Sequence, residues 1–251
     1  MAYASRTAAQ LGLMAGIVTT ADSTLDWRRY LPGVQIVRHP AAVTTTFENV
    51  YQAGRRIQRL LAVADPVPAG AVPAEWTNCP IVQLAPVVHE VTGDFLGLFP
   101  DSLIGLTPQG LLREWDASGL VRQGRWRGDD RLLSGSRVVV VSEEDLAGDP
   151  GFLAVCLARV PITVVTRGDR GATLFERGKA SHLPAFPVKE VDPTGAGDVF
   201  AAAFLVEYHR TGDPYRSAAF ASCAASFAVE RWGLEGVPTR EMVEERLARY
   251  P

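Results

Sequence analysis

Two short β-branched runs separated by a helical stretch limit this chain to an α/β fold. Arg137–Val141 (RVVVV) and Ile162–Thr166 (ITVVT) are apolar at nearly every position, which is typical of strands buried on both faces of a parallel sheet. Phe152–Arg159 between them has a helical pattern. Strands that alternate with helices favour a mainly parallel central sheet, so we predict an α/β fold.

The remaining segments add elements around that sheet. Further strands are predicted at Val34–His39 and Val43–Phe47 (adjacent, joined at Pro40), Ile57–Ala64, Ile81–Leu84 and a hairpin of Ala172–Glu176 with Ala180–Leu183. Helices are predicted at Tyr3–Leu13, from Pro108 to Trp115, and at Gly195–Thr211, Pro214–Arg231 and Thr239–Tyr250. Because no repeat or break in composition divides the chain, we predict one domain over residues 1–251.

Charge and cysteine content exclude several kinds of function. With 25 Lys+Arg against 28 Asp+Glu and a net charge of −3, the chain offers no general electrostatic attraction to nucleic acid or an anionic membrane. Cys79, Cys156 and Cys223 lie far apart without a Cys/His cluster, which argues against structural zinc. We therefore predict a protein of a reducing compartment, the cytoplasm, with no nucleic-acid or membrane partner.

The run Val191–Phe200 (VDPTGAGDVF) carries the most chemical information. It joins an extended segment to an apolar helix through Gly195, Ala196 and Gly197, and the free N–H groups of a helix N-terminus can hold an anion. Asp198 in the first turn can accept a proton from a substrate hydroxyl, which is the base required in phosphoryl transfer. Alternatively, the run is only a helix start with Thr194 as its N-cap and Asp198 facing the helix dipole.

The full run DPTGAGDVFAAAF closely resembles the signature of the ribokinase-like (PfkB) carbohydrate kinases. The resemblance implies a three-layer α/β/α fold with a small β-lid over roughly residues 34–50, which could also mediate a homodimer. It makes Asp198 the catalytic base and Gly195, Ala196 and Gly197 the anion hole. It also implies ATP and Mg²⁺ as cofactors. Asp192 and Thr194 fall where members of the family hold a monovalent cation such as K⁺, and Thr194 is also assigned to cofactor binding.

Two upstream segments resemble the nucleotide and metal motifs of the family. Thr166, Arg167, Gly168 and Gly171 match its T-x-G-x-x-G segment, which lines the nucleotide site, although Arg167 could equally face solvent. Ser142 and Asp145 lie where relatives carry N-x-x-E, a motif that organises Mg²⁺ through water. Both positions depart from that pattern, and a helix cap is the alternative interpretation. Relatives also place an Ala-rich helix, here Ala218–Trp232, against the adenine, whereas ordinary core packing explains most of its small residues.

On the acceptor side, the resemblance assigns substrate contacts to Thr44 and Thr46 in a Thr-rich strand, to Glu90 and to Tyr3. Thr-rich strands are also common on exposed sheet faces, and Glu90 could instead cap a turn. Several segments resemble inositol-kinase-like members more than ribokinase. The first strand and Gly-Gly motif that the resemblance implies are missing from this sequence. Either they are absent from the protein or its start was assigned too late, and in both cases the acceptor half departs most from the pattern.

The leading prediction from the sequence is an ATP-dependent kinase that phosphorylates a hydroxyl of a sugar or cyclic polyol, inositol-like or ribose/fructose-like. A nucleoside or vitamin-precursor kinase is an alternative, since one fold supports several substrates. A nucleotide- or sugar-binding protein without catalysis is a further alternative, because Ser142 and Asp145 depart from the metal motif.

Overall fold

The computed structural model describes residues 1–24, 26–52 and 55–250. Its strands in chain order are β1 (Ala15–Ala21), β2 (Val34–Pro40), β3 (Thr46–Gln52), β4 (Arg55–Ala62), β5 (Ile81–Leu84), β6 (Leu103–Leu106), β7 (Arg113–Trp115), β8 (Val121–Gln123), β9 (Val138–Ser142), β10 (Ile162–Thr166), β11 (Ala172–Glu176) and β12 (Lys179–Leu183). Its helices are α1 (Ala2–Gln10), α2 (Trp27–Tyr30), α3 (Asp130–Ser134), α4 (Glu143–Leu146), α5 (Phe152–Arg159), α6 (Ala196–Thr211), α7 (Pro214–Ala228) and α8 (Arg240–Arg249).

A six-stranded sheet with the order β12-β11-β10-β9-β6-β5 forms the centre. Strands β5, β6, β9 and β10 are mutually parallel. Strand β11 pairs antiparallel with β10 on one side and with β12 on the other. Three smaller sheets, β1-β2, β3-β4 and β7-β8, accompany it. The α/β prediction is confirmed, and the carboxyl ends of the parallel strands share one edge, where ligands of such sheets bind.

Both faces of the central sheet are buried, as the valine run of β9 predicts. Val138 and Val140 pack in one apolar cluster with residues of α6 and α7. Val139 and Val141 pack in the other cluster, which contains Phe152 of α5. Because successive strand residues point to opposite faces, helices cover the sheet on both sides, and the three-layer arrangement is confirmed.

The prediction for residues 34–47 is wrong in its pairing. Strand β2 pairs in parallel with β1, from Ala15 opposite Val34 to Ala21 opposite Pro40, and β1 is absent from the sequence-based prediction. The hairpin consists instead of β3 and β4. The segment proposed as a lid, 34–50, therefore contains a strand of one sheet and most of a strand of another.

The helix predicted from Pro108 to Trp115 is also wrong. A 3-10 turn covers Pro108–Leu112, and Arg113–Trp115 forms β7. Tertiary contacts explain the break: a Cβ atom on Gly110 would lie 2.4 Å from the Pro86 backbone, and the buried Arg113 side chain donates to the Val87 carbonyl. Within the part of the chain that the structure describes, no helix has both the length and the apolar character needed to cross a membrane.

Candidate active site

The junction before α6 is a tight turn that leads directly into a helix. Gly195 adopts a left-handed conformation with φ of +82°, which glycine adopts at little cost. The helix then begins at Ala196, and Asp198 lies in its first turn with its side chain about one-third exposed (35%). An accessible carboxylate thus lies beside the free N–H groups of a helix start.

The N-terminal segment closes over this junction. A Cβ atom on Gly195 would lie 2.3 Å from Cγ of Tyr3, so the Tyr3 ring packs directly on the glycine. The Met1 backbone nitrogen lies 4.0 Å from an oxygen of Asp198. Helix α1 also packs along α6. Tyr3, predicted to contact substrate, is therefore placed at the predicted anion hole, and Met1 is a neighbour of Asp198 that sequence reasoning missed.

Asp192 fixes the turn that leads into the junction. Its carboxylate accepts hydrogen bonds from the Thr194 N–H (2.9 Å) and the Gly233 N–H (3.3 Å). Burial opposes ionisation of Asp192, but these hydrogen bonds outweigh it and lower its pKa below the ordinary value. A buried, ionised carboxylate is suited to hold a cation. Its role in binding K⁺, and that of Thr194 in cofactor binding, stay predictions.

The predicted nucleotide residues lie at the carboxyl end of β10. Thr166 ends that strand, and Gly168 and Gly171 have φ of +57° and +81° in the following turn. The Gly171 backbone passes so close to Leu183 that a Cβ atom would lie 2.0 Å from its carbonyl oxygen. Arg167 donates to the Thr173 hydroxyl (2.7 Å) and lies 3.5 Å from Glu143, so its guanidinium is held beside the turn rather than extended into solvent.

Ser142 and Asp145 form a capping box at the start of α4. The Ser142 hydroxyl donates to the Asp145 carboxylate at 2.6 Å, and the Asp145 N–H donates back to that hydroxyl at 3.0 Å. Asp145 is buried and also accepts from the Gln109 amide at 3.3 Å. No group of three or more His, Cys, Asp or Glu side chains that could bind a metal occurs in the described ranges. The geometry fits the helix-cap interpretation, and this pair by itself is not a fitting set of Mg²⁺ ligands.

A cavity of about 280 Å³ lies between β1 and β5 and is bordered by Met1. Of the predicted acceptor residues, Thr44 and Glu90 line it, whereas Thr46 and Tyr3 do not. Glu90 accepts hydrogen bonds from the Val87 and Val88 N–H groups at 2.7 to 2.9 Å, as its turn-capping alternative requires. Thr46 donates to the Thr44 carbonyl.

Asp22 is a hydrogen-bond partner of Thr44 that sequence reasoning missed. It follows β1, and one carboxylate oxygen accepts from the Thr44 hydroxyl at 2.6 Å. Hydrogen bonds from Thr24, and then from Thr44, lower the pKa of Asp22 to about 2. The cavity lining further includes Thr45 and Asp65. No local sequence pattern marks these residues. They come together only through β1 and its parallel pairing with β2.

The Ala-rich segment 218–232 serves mainly as core. Ala218, Ala221 and Ala224 are buried in the cluster around α6, in agreement with the packing interpretation. Trp232, in contrast, is 70% exposed. It directly precedes Gly233, whose N–H donates to Asp192. This indole, together with the exposed Arg231, is accessible to a ligand near the junction.

Comparison with known proteins identifies the family that the C-terminal half of the chain matches. Residues 130–240 match the model of the pfkB family carbohydrate kinases. This segment belongs to that family. It contains the junction before α6, the capping box of α4 and the turn after β10, so the resemblance stated from the signature is confirmed.

Individual relatives are matched over part of their length. The nucleoside kinase of Methanocaldococcus jannaschii is 35% identical over 96 residues, 38% of this chain and 32% of the relative. The ribokinase of Bacillus subtilis is 42% identical over 85 residues, 34% of this chain and 29% of the relative. The matches thus span about a third of these curated relatives.

Solved structures show the same fold over nearly the whole chain. A pyrophosphate-dependent kinase in the ribokinase family, solved as a sulfate complex, aligns with a TM-score of 0.79 at 20% identity, over 97% of this chain and 89% of that chain. A putative ribokinase II from E. coli in complex with ATP and Mg²⁺ aligns with a TM-score of 0.71 at 18% identity, over 99% and 87%. The ribokinase-like fold is therefore confirmed.

Proposed function

We propose that the protein is an ATP-dependent phosphotransferase that phosphorylates a hydroxyl of a sugar or cyclic polyol. The observation that carries the proposal is Asp198, an accessible carboxylate in the first turn of α6, directly after the left-handed Gly195. Membership of residues 130–240 in the pfkB family supports this role. The ATP and Mg²⁺ complex of a structural neighbour supports the choice of donor.

In the proposed reaction, Asp198 accepts the proton of the acceptor hydroxyl as its oxygen attacks the terminal phosphorus of ATP. The new O–P bond forms as the bond to the ADP oxygen breaks, and the attacking and leaving oxygens are roughly in line. The Gly197 N–H is proposed to face the charge that develops on the transferred group; the Ala196 N–H, which donates to the Pro193 carbonyl at 3.3 Å, would have to leave that bond to join it. No residue described in the structure is assigned as a Mg²⁺ ligand here; Mg²⁺ carried by the phosphates of ATP would neutralise part of their charge. Residues at the turn after β10, including Arg167, are proposed to contact the nucleotide.

The acceptor is proposed to bind beyond the carboxyl ends of β1 and β5. Asp22 and Thr44 are hydrogen-bonded there, and Thr45 and Asp65 line the same cavity. The hairpin β3-β4, which directly follows Thr44 and Thr45, is the proposed lid. A cytoplasmic location and a homodimer formed through this lid belong to the same proposal.

A substitution of Asp198 tests the assignment. Asp198→Asn keeps the size of the side chain but removes the base, so turnover should fall on the order of 10²- to 10⁴-fold, with little change in the KM for ATP. Asp101→Asn is the matched control, because Asp101 is exposed and precedes β6, at the opposite edge of the sheet. Its turnover should equal that of the unaltered protein. Full activity of Asp198→Asn would refute the assignment.

The assay itself separates the proposed function from its alternatives. The protein is incubated with ATP and Mg²⁺ and with a panel of sugars, polyols and nucleosides, and acceptor-dependent ADP release is measured. Because one structural neighbour is pyrophosphate-dependent, a second series replaces ATP with pyrophosphate and follows phosphate release. Acceptor-dependent release with a nucleoside alone would favour the nucleoside-kinase alternative. Saturable ATP binding without release in any series would favour the binding-only alternative.

A further inference from the structure

The loop that follows β5 forms part of the wall of the proposed acceptor cavity. Four of its residues line that cavity, namely Ala85, Val87, Glu90 and Val91. His89, within the same loop, has a φ of +68°, in the left-handed region that is unfavourable for a residue with a Cβ atom. Such a conformation persists only where the surrounding structure fixes it. We call residues 85–91 the acceptor loop, and its conformation depends on contacts from other elements.

Strand β7 supplies contacts that fix the acceptor loop. The buried side chain of Arg113 donates to the Val87 carbonyl at 3.4 Å. The Arg113 carbonyl accepts a hydrogen bond from Nε2 of His89 at 2.9 Å, since a carbonyl oxygen can only accept. The His89 ring also packs on the Trp115 ring, with 5.2 Å between the ring centres. Arg113 thus holds the acceptor loop through both its side chain and its backbone.

The hairpin β3-β4 rests on the hairpin β7-β8 through a ring contact and a backbone hydrogen bond. In the ring contact, the guanidinium carbon of Arg113 lies 5.1 Å from the centre of the Phe47 ring in β3, within the range of a cation–π interaction. In the backbone contact, the Leu60 N–H of β4 donates to the Gly119 carbonyl at 2.8 Å, and an antiparallel bridge flanks this bond. Arg113 therefore touches the proposed lid on one side and the acceptor loop on the other.

We propose that Arg113 is a positioning residue for the acceptor, which transmits the position of the hairpin β3-β4 to the acceptor loop. The inference rests on the proposed function, in which the cavity holds the acceptor and β3-β4 covers it. When Phe47 moves with its strand, the cation–π contact displaces the guanidinium, and the hydrogen bond to Val87 passes this displacement to the cavity wall. An acceptor that keeps β3-β4 in the observed position is favoured over one that displaces it, which makes Arg113 a determinant of acceptor specificity.

The test perturbs the far side of this contact path and leaves the acceptor loop itself unaltered. Phe47→Leu removes the ring that Arg113 contacts, whereas Phe47→Tyr keeps the ring and is the conservative variant. Gly119→Ala breaks the link to β4, because its φ is +77° and an added Cβ atom would lie 2.4 Å from the Leu60 carbonyl oxygen. Gly178→Ala is the matched control. Its φ of +75° carries the same conformational cost, but a Cβ atom there meets nothing within 4 Å.

Hydrogen exchange measures the coupling without any need for turnover. The amides of Val87 and Val88 donate to the Glu90 carboxylate, so they report directly on the conformation of the acceptor loop. Phe47→Leu and Gly119→Ala should each speed exchange at these two amides on the order of tenfold. The conservative and control variants should leave it unchanged. The amides of β10 in the central sheet are the internal reference, because a general loss of stability would speed their exchange as well.

Steady-state kinetics then connects the coupling to the acceptor. With the donor and acceptor that give the fastest product release, Phe47→Leu and Gly119→Ala should raise the KM for the acceptor about 5- to 30-fold, on the scale of the strain held at His89. The KM for the donor should stay unchanged.

Three results would each overturn the proposal. They are unchanged exchange at Val87 and Val88 in both perturbing variants, equal effects of Gly119→Ala and Gly178→Ala, and equal increases in the KM values for donor and acceptor. A lack of product release from the unaltered protein with every donor and acceptor would instead refute the proposed function, and the exchange measurement would still decide the coupling.

Discussion

Gly195 is a position of the candidate site at which a single added methyl group should lower stability in two separate ways. Its φ of +82° lies in the left-handed region, which costs an alanine about 1 to 2 kcal/mol. The added Cβ atom would also lie 2.3 Å from the Tyr3 ring. Overpacking of this kind costs a further ~1 to 3 kcal/mol. We therefore expect Gly195→Ala to lower the free energy of unfolding by about 2 to 5 kcal/mol.

Gly197, two residues along the same turn, provides the matched control. It lies within α6 and a Cβ atom there would meet nothing within 4 Å. Alanine in a helix is favoured over glycine by roughly 0.5 to 1 kcal/mol, so Gly197→Ala should leave stability unchanged or raise it. The two variants add the same methyl group to the same segment with opposite expected signs.

Urea denaturation of both glycine variants measures their free energies of unfolding. The same measurement on Tyr3→Ala and on the Tyr3→Ala/Gly195→Ala double variant completes a double-mutant cycle. The cycle isolates the steric part, since Tyr3→Ala removes the ring that the new methyl group meets. In the Tyr3→Ala background, Gly195→Ala should cost only the conformational part, about 1 to 2 kcal/mol. A loss below ~0.5 kcal/mol for Gly195→Ala, or a loss of the same size in both backgrounds, would refute the close packing of Tyr3 on Gly195.

Three further predictions concern other parts of the molecule. Glu207 is 1% exposed and binds Arg210, Arg216 and Arg240, so Glu207→Gln should lower the free energy of unfolding by about 2 kcal/mol, measured by urea denaturation at pH 7. Although burial opposes ionisation of Glu207, the arginines lower its pKa below 4.5. The stabilisation that ionised Glu207 gives to the fold is therefore complete above pH ~4.5 and is lost as the pH falls through the lowered pKa of the folded state. In a pH series, the free energy of unfolding should decline less steeply toward acid for Glu207→Gln than for the unaltered protein. Burial raises the pKa of Cys156 and Cys223 to about 12. A thiol reagent at pH 8 should therefore label Cys79 in the native protein and the other two cysteines only after unfolding, which mass spectrometry measures. Labelling of Cys156 in the native protein would contradict this prediction.

The parts of the fold that could be predicted from sequence depend on local patterns. The valine run of β9 needs no partner to be recognised as a doubly buried strand, and the hairpin β11-β12 is marked by the turn at Gly178. The parallel pairing of β1 with β2, in contrast, cannot be predicted from a local pattern. It joins segments separated by α2, and nothing within Val34–Pro40 distinguishes a parallel partner before it from an antiparallel partner after it.

The same division applies to the candidate site. The run from Asp192 to Asp198 contains its own turn, helix start and carboxylates, so its geometry follows from local sequence. The sequence allows two interpretations of Ser142 and Asp145, and their reciprocal hydrogen bonds in the folded structure favour the helix cap. Asp22, directly after β1, accepts a hydrogen bond from Thr44, which lies between β2 and β3. Such a contact carries no signal in either segment alone.

The junction before α6 shows how far a local motif depends on a distant segment. The turn places Asp198 and the helix N–H groups, but α1 places Tyr3 on Gly195 and Met1 within 4.0 Å of Asp198. Helix α1 is held by its packing on α6, so the residues that flank the proposed base come from the opposite end of the chain. A change in α1 should therefore alter the surroundings of Asp198 without altering the motif itself, and the signature predicts the chemistry of the site more reliably than its specificity.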